Sequence, residues 1–250
     1  LKNRPPPQPR STGRYACGTE THARIIDAAI GLFGERGFEA ASTREIARRA
    51  GILAPLLNYH FENKEGLYRA CAAAINARAH QFFGANIANI QQVLQAQAPS
   101  ETLMAQLEAL MLRSLEFLLT DEKALQRRLF ITQDLAGNGP GGMPDETHMQ
   151  HRNALMRLYN QLVAALCNRN EDDPEVRIRT LTLQGQVAIF YTFRLPALNM
   201  LEWEQIDAAR LQQIGDTVIS NTRILIKAWR GDSFPSALTL FAPALRSLSN

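Results

Sequence analysis

The sequence is poor in the features that would settle a function at once. Cysteine occurs three times in 250 residues, at Cys17, Cys71 and Cys167. Three thiols so far apart form neither a disulfide framework nor a CxxC-type zinc site. A reducing compartment is the expected setting, with Cys71 and Cys167 read as inert buried thiols rather than redox sensors. No apolar run approaches the roughly 18 residues that a membrane-spanning helix needs. The first twenty residues, LKNRPPPQPRSTGRYACGTE, lack the continuous apolar stretch of a secretory signal, so the protein is expected in the cytoplasm and away from membranes. GxGxxG, Walker, HExxH and GxSxG elements are all missing. Isolated acidic and histidine residues remain without a constellation, so neither an enzyme nor a bound cofactor is expected. His148 and His151 stand three apart beside Arg152, but no third ligand accompanies them, so no metal site is expected.

What the sequence does have is core material. Hydrophobic residues make up 46% of the chain, enough for one large domain or two small ones, and wholesale disorder is excluded. The formal net charge is only +3, yet it is uneven: residues 1–70 carry 11 Lys and Arg against 7 Asp and Glu, and the remainder is slightly acidic. Such an excess fits an ordinary solvated surface or a footprint for phosphate. Residues 1–19, with four prolines and four basic side chains, read as a flexible basic arm.

From Glu20 onward the pattern is helical, with no alternating strand run and no long-period repeat, which predicts an all-α protein. Ile25, Ala28, Ala29, Leu32 and Phe33 mark one face of a first helix, Glu20 to Arg36, with Gly37 as its left-handed cap and Phe38 folding back. Ser42-Thr43-Arg44-Glu45 is a capping box that opens a second helix, in which Ile46, Ala47 and Ala50 are the expected core. Pro55 is tolerable only in a first turn, which places a third helix at Ala54 to Phe61 with Leu57 and Phe61 inward. Asn63 caps a fourth helix beginning Lys64-Glu65-Gly66-Leu67. Two short helices joined by Ala50-Gly51-Ile52-Leu53 make a helix-turn-helix, a unit that presents its second helix to the major groove.

With those elements in place, the stretch RIIDAAIGLFGERGFEAASTREIARRAGILAPLLNYHFENKEGLY resembles the DNA-binding domain of the TetR family of transcriptional regulators. The likeness covers the A-x-x-L-F-x-x-x-G-F helix end, the S/T-x-x-x-I-A-x-x-A-G second helix and the L-x-x-H-F-x-x-K-E-x-L join. NYHFENKEGLYRA, with Gln184, Phe190, Arg194, Pro196 and Trp203 further on, is similar to the CecR-like branch. The resemblance implies double-stranded operator DNA as partner, with Thr43 on a phosphate and Arg44 on a phosphate or a guanine edge. Arg48 and Arg49 fit phosphate contact or plain solvated charge. Ala54, Pro55 and Leu56 occupy the helix tip and offer only apolar contact, for instance to thymine methyl groups. Asn58 is the best base reader, since its amide matches adenine N6 and N7. Tyr59 and His60 reach phosphates, or else Tyr59 packs and His60 sits at the edge of the core. Lys64 clamps a phosphate at a helix start. Two positions depart from the family pattern: Leu53 stands where a Ser or Thr cap is usual, and Leu56 where a small polar residue is frequent.

Residues 20–67 therefore read as the DNA-binding domain, 68–230 as a helical effector and dimerisation domain, and 231–250 as a tail. Long helices are expected near 64–95, 101–119, 122–136, 145–168, 174–200 and 204–230, with a mobile glycine loop at 137–142. By resemblance the last two pair with their copies in a homodimer, through apolar positions among Leu181, Val187, Phe190, Leu211, Ile214, Val218, Ile219, Leu225 and Trp229, some of which must instead be core. Met111, Phe117, Phe130, Gln133, Met156, Tyr159, Gln186, Phe190 and Arg194 are candidates for lining a small-molecule effector site. The implied function is a sequence-specific regulator, a repressor that releases a palindromic operator on binding its effector. An activator, a ligand-independent regulator and a nonspecific architectural protein are the alternatives.

Overall fold

The computed structural model describes residues 12–120, 123–142 and 146–230. The first eleven residues of the arm and the tail 231–250 lie outside the described residues, as do the side chains of Cys17, His148, His151 and Arg152. Among the described residues the regular structure is helical throughout. It comprises α1 (Thr12–Ala40), α2 (Thr43–Ala50), α3 (Ala54–Phe61), α4 (Lys64–Gln95), α5 (Ser100–Leu119), α6 (Ala124–Leu135), α7 (Glu146–Cys167), α8 (Pro174–Thr192), α9 (Arg194–Met200) and α10 (Ala208–Arg230), with a 3-10 turn at Pro140–Gly142. No described helix is long and apolar enough to cross a membrane.

Three expected boundaries moved, each for a local reason. α1 starts at Thr12 rather than Glu20, so the end of the expected arm is helical. Once the packed part of a helix exists, each residue added in front gains one hydrogen bond without a new nucleation cost, and the last proline of the arm, Pro9, lies before this stretch. The expected helix 174–200 is broken at Phe193 (φ −108, ψ 40), because Pro196 has no N–H for the carbonyl of Thr192 and its ring would collide with it. α10 begins at Ala208, not 204, because the Asp207 carboxylate accepts the N–H of Arg210 at 2.9 Å and caps it there.

The chain forms two compact units, one of Leu1–Gly84 with Phe117–Ala154, the other of Ala85–Glu116 with Leu155–Asn250. The helix-turn-helix unit thus includes α6, which the expected division at residue 67 had left out. Gly31 and Gly34 open the face of α1, and a Cβ on Gly34 would lie 2.8 Å from the Phe130 nitrogen and 2.9 Å from the Gln126 oxygen. That approach inserts Phe130 among Phe33 and Tyr68, at ring separations of 6.3 and 4.7 Å. Phe130 is fully buried with Ile25, Leu32, Ile46, Leu57 and Leu67. Below it, the Tyr68 hydroxyl donates to Asp134 at 2.9 Å.

Gly37 has a positive φ as expected, but at φ 75, ψ 175 it is extended rather than left-handed helical, a region open essentially to glycine alone. The turn it makes lets the Phe38 N–H donate to the Asn138 carbonyl at 3.1 Å. Asn138 also donates from its side chain to Gln133 at 2.7 Å. The glycine loop expected to be mobile is therefore tied to α1 and α6 at this point.

In the second unit the buried side chains come from α5 (Leu107, Leu110, Met111), α7 (Tyr159, Leu162, Val163), α8 (Val176, Leu183, Val187) and α10 (Ile214, Val218, Ile226). The Thr222 hydroxyl turns back to the Val218 carbonyl at 2.7 Å and lies 3.3 Å from the Met111 sulfur. Arg223 pairs with Glu108 across α10 and α5.

Candidate nucleic-acid interface

The local sequence builds the reading head in three steps. Ser42 is extended (φ −98, ψ 141) and its side chain accepts the Glu45 N–H at 3.2 Å, which starts α2. The reciprocal half of the box is used otherwise: the Glu45 carboxylate takes Arg48 at 2.7 and 3.0 Å. Gly51, left-handed at φ 65, ψ 39, returns its N–H to Ala47 and Arg48 and turns the chain. Ile46, Ala47 and Ala50 on α2 and Leu57 and Phe61 on α3 are buried, which leaves the opposite face of α3 outward. The exit from α3 is a γ-turn at Glu62 (φ 61, ψ −56) closed by Asn63 N–H to Phe61 oxygen at 2.6 Å, the rare positive-φ kind. Asn63 then caps α4 by accepting the Gly66 N–H at 2.7 Å.

On this frame Arg44, Ala54, Pro55, Leu56, Asn58 and Tyr59 are exposed, while Thr43, His60 and Lys64 are half-buried. Tyr59 is 83% exposed, so the packing reading for it fails. His60 sits at the edge of the core: it is half-buried, lies 6.0 Å from Phe61 and faces His22 of α1 at a ring separation of 6.0 Å. Burial, and secondarily the charge of His60, lowers the pKa of His22. Lys64 is not idle either. Its ammonium donates to the Glu39 carbonyl at 3.2 Å and stands 4.4 Å over the Phe38 ring, so it ties α4 to the end of α1.

Arg48 and Arg49 separate. Arg49 bridges helices, with Glu35 of α1 at 2.7 Å and Glu45 at 3.4 Å; the spacing of Glu35 gave the sequence no hint of this. Arg48 stays exposed at the head's surface. The hydrogen bond from Arg48 and the two guanidinium charges hold the Glu45 carboxyl below its ordinary 4.5, at about 2. A depressed folded-state value means the stabilisation is present above about pH 4.5 and is lost as pH falls through about 2. Glu45→Gln should therefore flatten the acid limb of the melting temperature in that window, and parallel limbs for the two proteins in thermal melts would refute the coupling.

The effector candidates do not gather in one unit. Phe117, Phe130 and Gln133 fall in the first, where Phe130 is core, Phe117 packs on Phe82 and Phe83 at 5.1 and 5.3 Å, and Gln133 holds Asn138. Periodicity marked Phe130 as buried but could not say which core it joins. Met111, Met156, Tyr159, Gln186, Phe190 and Arg194 fall in the second. Met111 and Tyr159 are buried; the Tyr159 hydroxyl lies 2.8 Å from Ser114 and donates to the Leu110 carbonyl at 3.0 Å, and burial raises its pKa to about 12. Gln186 is half-buried, and both its amide atoms are shielded from solvent without a hydrogen-bond partner among the described residues. A groove of about 440 Å³ in the second unit is lined instead by Gln91, Leu94, Gln95 and Gln161. Among the described residues no three His, Cys, Asp or Glu side chains group as metal ligands. Both described thiols are free and buried, and burial raises their pKa.

Comparison with known proteins gives a consistent outcome. Residues 25–71 match the family of bacterial regulatory proteins, tetR family. Residues 103–229 match the C-terminal domain of the HTH-type transcriptional dual regulator CecR. The CecR protein of Shigella flexneri is 25% identical over 210 residues, 84% of this chain and 93% of that relative. Among solved structures, AmtR of Mycobacterium smegmatis is similar with a TM-score of 0.54 at 21% identity, covering 87% of this chain and 89% of that one. AibR in complex with isovaleryl coenzyme A and operator DNA gives 0.52 at 16% identity, covering 80% and 97%. These two likenesses concern the fold.

Proposed function

The chain belongs to the TetR family of bacterial regulatory proteins and is a DNA-binding transcriptional regulator; on that premise we propose that it works as a homodimeric repressor that leaves its operator when a small effector binds the second unit. The observation that carries the DNA contact is the outward face of α3, where Asn58 and Tyr59 stand exposed, as does Arg44 on α2. In this reading Thr43, Tyr59, His60 and Lys64 meet phosphates, Arg44 and Asn58 reach base edges, and Ala54, Pro55 and Leu56 line the tip. A bacterial transcriptional regulator of this family is expected to work in the cytoplasm.

One helix-turn-helix reads few base pairs, and a two-fold copy doubles the contacts when the two recognition helices stand about 34–36 Å apart. An apolar stripe on α8 supports the pairing: Ile178 and Leu181 are each 60% exposed, Ile189 follows on the same face, and Ile224 of α10 is exposed as well. Val187, Ile214 and Val218, by contrast, serve the chain's own core. For the effector, Gln186 carries the best argument. A buried amide left unsatisfied costs about 1–3 kcal/mol per group, which hydrogen bonds from a ligand would offset. Met111, Met156, Tyr159, Phe190 and Arg194 complete the candidate lining. α4 contributes residues to both units, and its displacement is the proposed link to the reading head. The effector must favour the released state, since equal affinity for both states shifts nothing.

Selection of bound fragments from random duplex DNA at about 0.15 M salt tests this reading. A palindrome with half-sites about one turn apart is expected. Binding without sequence enrichment would point to an architectural role. On the selected duplex, Asn58→Ala should relax one base pair, while Lys64→Ala should weaken all sequences alike and flatten the salt slope by about one. A lowered melting temperature with an unchanged slope would instead assign Lys64 wholly to the Glu39 corner. The CecR relative's name, a dual regulator, favours a second reading in which the bound chain also activates.

A further inference from the structure

The first turn of α3 is apolar throughout and faces solvent. Leu53, Ala54, Pro55 and Leu56 are all exposed, Leu53 to 80% and Leu56 to 39%. A soluble surface avoids four consecutive exposed apolar residues unless something covers them. Packing within the chain does not account for Leu53, and neither does helix capping. It sits at the N-cap in extended conformation (φ −77, ψ 138) and supplies no side-chain cap bond, at a position where serine or threonine would tie down the helix start. Hydrogen bonding is scarce in this turn as well. Pro55 has no N–H, and the N–H of Leu56 is engaged by the Leu53 carbonyl at 3.0 Å. Asn58 and Tyr59, the exposed polar readers of the same short helix, follow this turn directly, so it belongs to the same surface.

The major groove offers one apolar feature to such a turn, the C5-methyl group of thymine. We propose that Leu53 and Leu56 read thymine C5-methyl groups in the operator half-site. Leu53 is thus a specificity residue and not merely a missing cap. This rests on α3 being the recognition helix. Arg44 and Asn58 supply hydrogen-bond readout beside it, and the two leucines desolvate the methyl groups between them.

The test uses the full-length protein and the duplex obtained by selection, with each thymine replaced in turn by deoxyuridine, which removes only the methyl. Wild-type protein is expected to bind about fourfold more weakly at one or two thymines per half-site, the equivalent of one buried methyl group, and equally at the others. Leu53→Ala and Leu56→Ala should bring the thymine-to-uridine ratio at their positions to about one, because a contact already lost cannot be lost twice. Leu53→Ser restores a capping oxygen and should raise the melting temperature while also losing the discrimination, which separates loss of reading from loss of folding. A ratio unchanged in all three variants, or a selected half-site indifferent to every thymine methyl, overturns the proposal and leaves the regulator intact. Failure to enrich any sequence overturns the regulator reading, and this inference with it.

Discussion

Replacing Gly34 by alanine is expected to lower the unfolding free energy by about 2–3 kcal/mol and the melting temperature by on the order of 5–10 °C. The new Cβ would meet the Phe130 nitrogen at 2.8 Å and the Gln126 oxygen and Leu129 Cβ at 2.9 Å. Two of these atoms are backbone, so relief requires α6 to shift bodily. That shift would withdraw Phe130 from Phe33 and Tyr68. Alanine's higher helix propensity, about 1 kcal/mol, opposes the loss without cancelling it. Gly84 provides the control. It is also within a long helix, but a Cβ there meets nothing within 4 Å, so Gly84→Ala should stabilise by about 1 kcal/mol. Thermal and urea unfolding of the two variants would settle the matter. Equal shifts of the same sign would mean that packing of α1 on α6 contributes little.

Leu181→Arg is expected to convert the proposed dimer to a monomer and to weaken operator binding by on the order of 100-fold, since like charges brought together at an interface cost several kcal/mol. The position lies on one face of α8 with Ile178, Gly185 and Ile189. A Cβ on Gly185 meets nothing within 4 Å among the described residues, so the glycine leaves room for another helix to come close. Sedimentation of the variant at micromolar concentration reads the mass directly. Because Leu181 is exposed, the folded monomer should melt as an intact helical protein. An unchanged dimer mass would place the two-fold contact elsewhere.

Much of the reading head was legible because its signals are local. Ser42, Gly51, Pro55 and Asn63 each act within a few residues of themselves, and the bounds of α2, α3 and the start of α4 followed from them. The break at Phe193 was also legible in principle, since Pro196 marks the carbonyl four residues back, but the long apolar period around it concealed the interruption. What could not be read is what depends on distant chain. The Arg49–Glu35 pair, the Lys64–Glu39 bond and the seat of Phe130 each join elements whose proximity no spacing encodes. The effector candidates were the hardest to place for that reason: periodicity marks a residue as buried without naming the core it joins, and Phe130 joined that of the first unit, where half-buried Phe117 and Gln133 also fall.

The discontinuous make-up of that unit bears on modular exchange. A chimera made by grafting residues 1–84 onto another regulator's body would leave behind α6. Phe33 and Tyr68 would lose the ring of Phe130, the Tyr68 hydroxyl would lose Asp134, and the Phe38 amide would lose Asn138. A transplant that also carries 117–154 keeps those partners. Recombination between regulators of this kind should therefore succeed at three coordinated junctions and fail at one.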